Sequence, residues 1–358
     1  MTSIRPYTEN DRSGWDAYVL RHPMASVYHL SGWKRVIEQT YRHRSFYLLA
    51  VNSRNQEKIA GVFPLVHLKH PLFGNHLVSM PFFDHGGILA DDDQTAAALQ
   101  AHAVGLGREL GVADIEARYL GAEAVPAGAR TDFGTGVSSR LQSHKVRMLL
   151  DLPESADELM KSFKAKLRSQ IKKPLKEGLT ASAGRLELLD DFYRVFVENM
   201  RDLGSPVHSA NLIRHTLVEF ADSTRLIVVY QGRKPLAGSV VVGFGDTLFN
   251  PWASSLRRFS HLAPNMLLYW TMLEDACQHG YCRFDFGRST PEEGTFRFKQ
   301  QWGAVPVPLY WQHLYLDGRN GSSDGGKEKF SKMIEIWQKL PVSVTRILGP
   351  RVRGHIAL

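Results

Sequence analysis

Apolar and polar positions along the chain fall into one short pattern that occurs twice. Leu48–Asn52 is apolar and β-branched, Asn52–Lys58 is polar turn material, and Ile59–Leu65 resumes the strand pattern, which predicts a hairpin. From Thr95 to Leu110, the residues Leu99, Ala103, Leu106 and Leu110 recur at helical spacing. Gly111 stands where a helix-ending glycine belongs, and Val112–Arg118 alternates as a strand. The second half repeats the order: strand Leu226–Tyr230, turn Gln231–Pro235 and return strand Leu236–Val242. A helix then opens on Pro264, runs Asn265–His279, closes on Gly280 and feeds a strand at Tyr281–Phe286. Ala60-Gly61 and Ala237-Gly238 hold matching places in the two hairpins. Hairpin, helix, capping glycine and strand in one order predict a duplicated α/β unit.

Between the copies, Ser155–Lys173 reads as one long helix. Leu159, Phe163, Leu167 and Ile171 form its apolar stripe, Lys161, Lys164, Lys166, Arg168, Lys172 and Lys173 cover its other faces, and Pro174 stops it. A packed amphipathic helix with a solvated basic face accounts for this pattern better than a phosphate-binding surface does. A further helix covers Glu187–Leu203. Glu328–Leu340 is a short amphipathic helix followed by a basic tail with Arg351 and Arg353, and Asp317–Gly326 is a flexible connector. The expected division is an N-terminal lobe over 1–150 that holds the acceptor, a catalytic lobe over 151–320, and a C-terminal helix and tail over 321–358.

Composition narrows the class. Of 358 residues, 43% are hydrophobic and 10% aromatic, as in a packed globular protein. No apolar stretch is long enough to span a bilayer, and the opening MTSIRPYTENDRSGW has no apolar signal region. Cys277 and Cys282 are the only cysteines, too few for a disulfide framework, so a reducing, cytoplasmic setting is expected. A net charge of +8 favours anionic partners such as phosphorylated substrates, RNA or an acidic membrane surface, and the expected partner is an anionic small molecule or a lipid- or nucleotide-linked acceptor, with tRNA a further candidate. Oligomeric state is not legible.

Familiar catalytic motifs are missing: there is no GxxxxGK[ST], no GxSxG, and no GxGxxG between strand and helix. Gly243 and Gly245 fit a hairpin turn. Cys277, His279 and Cys282 straddle a helix end without a fourth ligand and read as core residues, not a metal site. The dense segment is Phe284–Trp302, FDFGRSTPEEGTFRFKQQW. Asp285 is expected at the C-terminal end of a strand, where open α/β sheets place ligands. Arg288 follows it, and Thr295–Lys299 alternates like a strand, Phe296 and Phe298 against Arg297 and Lys299, before Trp302. Phe296 is read as core; Asp285, Arg288, Lys299 and Trp302 together are read as a site. A lysine here suits acyl transfer, because an ammonium near the carbonyl oxygen stabilises the negative charge that develops when an amine attacks. Asp285 would orient Arg288 or accept a proton. In the first lobe, Ser79–Ile88 holds Phe83, Asp84 and His85 before a Gly86-Gly87 turn, and Trp33-Lys34-Arg35 lies on a short helix.

These residues resemble the Fem family of non-ribosomal peptidyltransferases, built from two lobes of the GNAT (acyl-CoA N-acyltransferase) fold. The resemblance is carried by the duplicated unit, Trp33, Pro81–Gly87, Met200–Pro206, Asp285–Arg288 and Phe298–Gly303, and is closest to the FemAB-like branch found with exosortase/PEP-CTERM exopolysaccharide systems. It implies two tandem GNAT-like lobes, each a mixed central sheet flanked by helices, and transfer of an acyl or aminoacyl group to an amine on an envelope or exopolysaccharide precursor. It also implies that Lys299, with Phe298, supports the tetrahedral intermediate, and that Lys34 or Arg35 contacts an acceptor diphosphate. Two departures leave the donor open between acyl-CoA and aminoacyl-tRNA. Ser254–Pro264 (SSLRRFSHLAP) replaces the Q/R-x-x-G-x-G/A loop, and the long helical arm that some Fem proteins use for tRNA is missing. A non-catalytic module binding a nucleotide-linked sugar or RNA, and plain acetylation by acetyl-CoA, are the competing readings.

Overall fold

The computed structural model describes residues 2–52, 55–127, 136–316 and 327–357. The chain divides into two units, Met1–Arg147 with Val307–Ser323 and His355–Leu358, and Met148–Pro306 with Asp324–Gly354. The first runs β1 (Thr2–Pro6), α1 (Arg12–Arg21), α2 (Gly32–Tyr41), β2 (Arg44–Asn52), β3 (Asn55–His70), β4 (Gly74–Val78), β5 (Leu89–Ala90), α3 (Asp93–Leu110) and β6 (Asp114–Leu120). The chain passes along β7 (Ser138–Asp151) into α4 (Ala156–Ser162), α5 (Ala165–Lys176), β8 (Leu179–Gly184), α6 (Leu189–Asp202) and α7 (Ala210–Glu219). Then come β9 (Thr224–Gln231), β10 (Lys234–Phe244), β11 (Thr247–Ser255), α8 (Pro264–Gln278), β12 (Arg283–Ser289) and α9 (Gly294–Gln300), and finally β13 (Val305–Tyr315), α10 (Lys327–Lys339) and α11 (Val342–Arg353).

The duplication is real and larger than the apolar pattern marks. In the first unit the strands lie in the order β1, β2, β3, β4, β6; in the second, β8, β9, β10, β11, β12. Each series has antiparallel pairs followed by one parallel pair, β4 with β6 and β11 with β12. The helix between the parallel strands, α3 or α8, is the crossover that a parallel pair requires. The predicted hairpins form, with Ala50 opposite Gly61 and Val228 opposite Gly238. The outer strands β1 and β8 and the fourth strands β4 and β11 were not anticipated, because short or partly polar runs carry little period-2 signal.

Helix ends follow their chemistry. Asp92 caps α3 by accepting the Thr95 amide, and Gly111 closes it at φ 62°. Leu99 and Ala103 pack into a core with Leu48, Phe63, Leu65 and Ile115. Pro264 opens α8, and Gly280 follows it at φ 75°.

Two helical expectations are corrected. The long basic helix is two, α4 and α5, because Phe163 adopts an extended conformation and Lys164 starts a new helix. Its stripe Leu159, Phe163, Leu167 and Ile171 is buried as read, yet Pro174 does not stop the helix: it lies inside α5, which runs on to Lys176. The basic tail is helix α11, and Arg353 is buried on the His208 ring, its Nε donating to Nε2 at 3.0 Å. The segment read as a connector, 317–326, lies outside the described residues. No described helix is long and apolar enough to cross a membrane.

The parallel pair of the first unit carries a polar cluster. Asp114 of β6 receives Nδ1 of His76 on β4 and, at 3.4 Å, Nδ1 of His313 on β13. Burial pushes the Asp114 carboxyl up, but the two histidine hydrogen bonds outweigh it and hold the carboxyl at about 2, below its ordinary 3.8. The Asp114 hydrogen bond raises His76. A depressed carboxyl stabilises the fold above its unfolded value, so this contribution is lost as pH falls from about 4 to about 2. The raised histidine contributes below its ordinary value and loses that contribution as pH climbs through the raised one. Denaturation midpoints of Asp114→Asn are therefore expected to fall below those of the wild-type chain at pH 5–6, with the difference shrinking toward pH 2; a constant offset would contradict the assignment.

Candidate functional site

In the second unit β11 and β12 keep parallel register from Thr247 opposite Arg283 to Phe249 opposite Asp285, and none beyond, although both strands continue. The backbone turns unusual at that level. Gly287 has φ 78°, conformational space that glycine enters without strain, and a Cβ there would sit 3.2 Å from the Asn250 carbonyl. Asp285 is fully buried, and its Oδ1 accepts the Gly287 amide at 2.8 Å, fixing the distortion. Asp285 is thus the third residue of a strand that runs on to Ser289, not its last, correcting the expected strand end at Phe286.

The run Thr295–Lys299 is helix α9, not a strand. Phe296 and Lys299, three apart, share its buried face. Lys299 is 7% exposed, and its ammonium donates to the carbonyl oxygens of Gly287 at 3.0 Å and Arg288 at 2.7 Å. A buried ammonium is tolerated only with such partners, so the β12 turn and the lysine specify each other. Phe298 lies half-buried with its ring 5.0 Å from Tyr269 and 6.2 Å from Trp302, and Tyr269 stacks on Phe286 at 5.5 Å. Burial pushes the Tyr269 hydroxyl up to about 12, keeping it neutral. Trp302 Nε1 and Ser289 Oγ are buried without a hydrogen-bond partner among the described residues. Beside α9 opens a cleft of about 840 Å³, walled by Phe163, Leu167 and Trp302, with Lys164, Lys166 and Gln301 on its lining. That volume suits a small organic ligand.

The first unit gathers the other predicted residues. Phe83 and His85 are buried, and Phe83 stacks on Tyr28 at 4.6 Å and meets Trp33 at 4.4 Å. Asp84 accepts from Arg147 at 2.7 Å, and its carbonyl accepts Trp311 Nε1 at 3.3 Å. Arg118 donates to the Phe83 carbonyl and pairs with Glu116 at 2.6 Å. Burial, aided by the Arg147 charge, drives His85 well below its ordinary range, and burial holds nearby His29 at about 3; both rings stay neutral near pH 7. Lys34 lies on α2 as read, with its ammonium held by Glu38 at 2.8 Å. Arg35 is half-buried on the same helix. Sequence reasoning passed over Arg147. Its signal was a lone cation within Val146–Leu150, an otherwise apolar run whose strand had not been recognised.

No group of His, Cys, Asp and Glu among the described residues could hold a metal ion. His279, free of any cysteine partner, sits with Asp275 and Arg225 instead.

This arrangement of strands and crossover helices recurs among solved structures. FemX superposes with TM-score 0.67 at 15% identity, covering 87% of this chain and 96% of that one. A tandem GNAT protein from the clavulanic acid biosynthesis pathway gives 0.53 at 11%, covering 87% and 98%. L-PGS from Bacillus licheniformis gives 0.54 at 12%, covering 92% and 96%. The fold is a GNAT fold. Residues 161–300 match the family model described as Acetyltransferase (GNAT) domain, which spans α5 to α9 and so holds both the β11–β12 parting and Lys299. No curated protein matches the chain. The duplicated α/β unit read from the repeat, and the tandem GNAT-like lobes that the family resemblance implied, both agree with this fold.

Removing the Asp84 charge leaves the Arg147 guanidinium buried without its carboxylate. Asp84→Asn is expected to lower unfolding free energy by about 3 kcal/mol, and Arg147→Met/Asp84→Leu by clearly less. Equal losses in urea titrations would show that the ion pair does not govern this cluster.

Proposed function

We propose that the chain is a Fem-like N-acyltransferase or aminoacyltransferase, moving an acyl or aminoacyl group to an amine on a cell-envelope or exopolysaccharide precursor. One observation carries this: the Lys299 ammonium, shielded from water and fixed on two carbonyls where β11 and β12 part. The similar folds, among them FemX and a tandem GNAT protein, fit the same chemistry.

In the reaction, the acceptor nitrogen attacks the carbonyl carbon of the donor. A carbon–nitrogen bond forms and the carbonyl oxygen becomes an oxyanion. When the intermediate collapses, the bond to the carrier's sulfur or oxygen breaks, and a proton from the amine passes to that atom, so the carrier leaves as a thiol or a hydroxyl. A preorganised cation beside the oxyanion stabilises it without reorganising at the moment of reaction. Lys299 takes that role. Asp285, committed to the Gly287 amide, acts as a positioning residue that keeps the Lys299 acceptor carbonyls in place. Phe298 and Trp302 form the wall against which the reacting group lies, Arg288 steers an anionic substrate, and the first unit, through Phe83, Asp84, His85, Lys34 and Arg35, holds the acceptor. Acyl-CoA and aminoacyl-tRNA are the donor candidates; both present an activated carbonyl on a phosphate-bearing carrier.

Lys299→Ala is expected to lower kcat/KM for transfer from the accepted donor by about 10²–10³-fold. Lys299→Arg should recover part of the loss. Far-UV circular dichroism must stay unchanged, since Lys299 also ties β12 to α9. Unaltered turnover in folded Lys299→Ala would remove the assignment.

A further inference from the structure

A second cleft in the same unit, of about 450 Å³, is lined by four cations and one carboxylate: Arg194, Arg233, Lys234 and Arg258 with Glu198. It is assembled from three separate elements. Arg194 and Glu198 come from α6, Arg233 and Lys234 from the β9–β10 turn, and Arg258 from the segment between β11 and α8. Glu198 offsets part of the charge by pairing with Arg258 at 2.8 Å, and Arg194 lies 4.0 Å from Asp191. Phe259 is the common platform, with Lys234 Nζ at 4.3 Å and the Arg258 guanidinium at 5.2 Å from its ring centre. The ring holds two like charges close together without neutralising either.

Register fixes where this cleft stands relative to Lys299. Ala237, near the start of β10, pairs with Ser255, the last residue of β11, so the β9–β10 turn lies at the C-terminal end of β11. β12 runs parallel to β11, so its C-terminal end, with the carbonyls that hold Lys299, points the same way. The cationic cleft and Lys299 thus share one end of the sheet of the second unit, beyond the level at which β11 and β12 lose register.

We infer that this cleft binds the phosphate groups of the donor's carrier, with side-chain guanidinium and ammonium groups acting in place of a glycine-rich backbone loop. The inference rests on the acyl-transfer reading for the word donor, but not for the anion site itself. Ser254–Pro264 contains no glycine, so it offers no unhindered backbone approach; it offers Arg257 and Arg258 instead. Guanidinium groups suit phosphate oxygens because they donate in pairs. Phosphodiester and diphosphate share this chemistry, and the two donor sources, CoA and the 3′ end of an RNA, both carry it.

The test uses the whole chain and isothermal titration with three probes: inorganic pyrophosphate, CoA, and a CCA trinucleotide with a 5′ phosphate. Arg233→Ala/Lys234→Ala is the first variant; neither side chain is offered above as part of the reacting centre. Pyrophosphate binding should weaken about tenfold or more in it, since hydrogen bonds to charged groups are lost. Wild-type affinity should also fall steeply between 50 and 300 mM salt, about the range over which screening shortens. CoA or the trinucleotide, whichever binds more tightly than pyrophosphate and loses affinity in the same variant, identifies the source. Lys299→Ala should bind pyrophosphate normally, so a failed transfer assay and a failed anion site are separable. No pyrophosphate binding at millimolar concentration, or binding equal in the wild type and the double variant, overturns the inference. Arg194→Gln is the second variant, should the first not fold, with the same loss expected.

Discussion

A positive charge taken out of water must be met by hydrogen-bond acceptors, and this protein meets that demand several times in its interior. Lys299 is held by the carbonyls of Gly287 and Arg288, Arg118 by the Phe83 carbonyl and Glu116, Arg147 by Asp84, and Arg353 by the His208 ring. The distortion at Gly287 exists because a carbonyl must turn toward the lysine, and the Asp285 carboxylate compensates the amide that turns the other way. Around these cations the apolar side chains simply fill space.

The two GNAT units use one topology for different ends. Their matched glycines show this. A Cβ on Gly61 would meet Thr95 and Leu99 of α3, which follows the hairpin, whereas one on Gly238 would meet Phe192 of α6, which precedes it. The same position along the same strand is thus kept small for two unrelated neighbours. In the first unit the Asp114 histidine cluster links the parallel pair, and in the second the pair loses register just before the β12 carbonyls that hold the lysine.

Much of this was legible in the sequence wherever a long periodic segment was bounded by a capping residue. The helices around Leu99 and Met272, the two hairpins and their order needed only spacing, Pro264, Gly111 and Gly280. The reading of α9 failed for a physical reason: over five residues Phe296 and Phe298 satisfy a two-residue period, while the pairs Phe296–Lys299 and Phe298–Trp302 satisfy a helical one, and local spacing cannot choose. The break at Phe163 was hidden because it sits on the apolar stripe and leaves the stripe intact. Arg147 was hidden by its own strand, whose buried cation interrupts the pattern that would have revealed it.

β13 pairs with β6 along Leu309–Tyr315, so the first unit takes a strand that the ribosome makes only after residues 148–306 of the second unit. The amino-terminal unit is therefore synthesised first and finished last. While residues 148–306 emerge, the free edge of β6 stays unpaired along its length, a surface open to wrong partners. Growth of the chain at 5–20 residues per second leaves that edge exposed for roughly ten to thirty seconds. Folding in the cell then depends on the second unit keeping pace, and a slow or destabilised second unit would be felt first as aggregation through the other one.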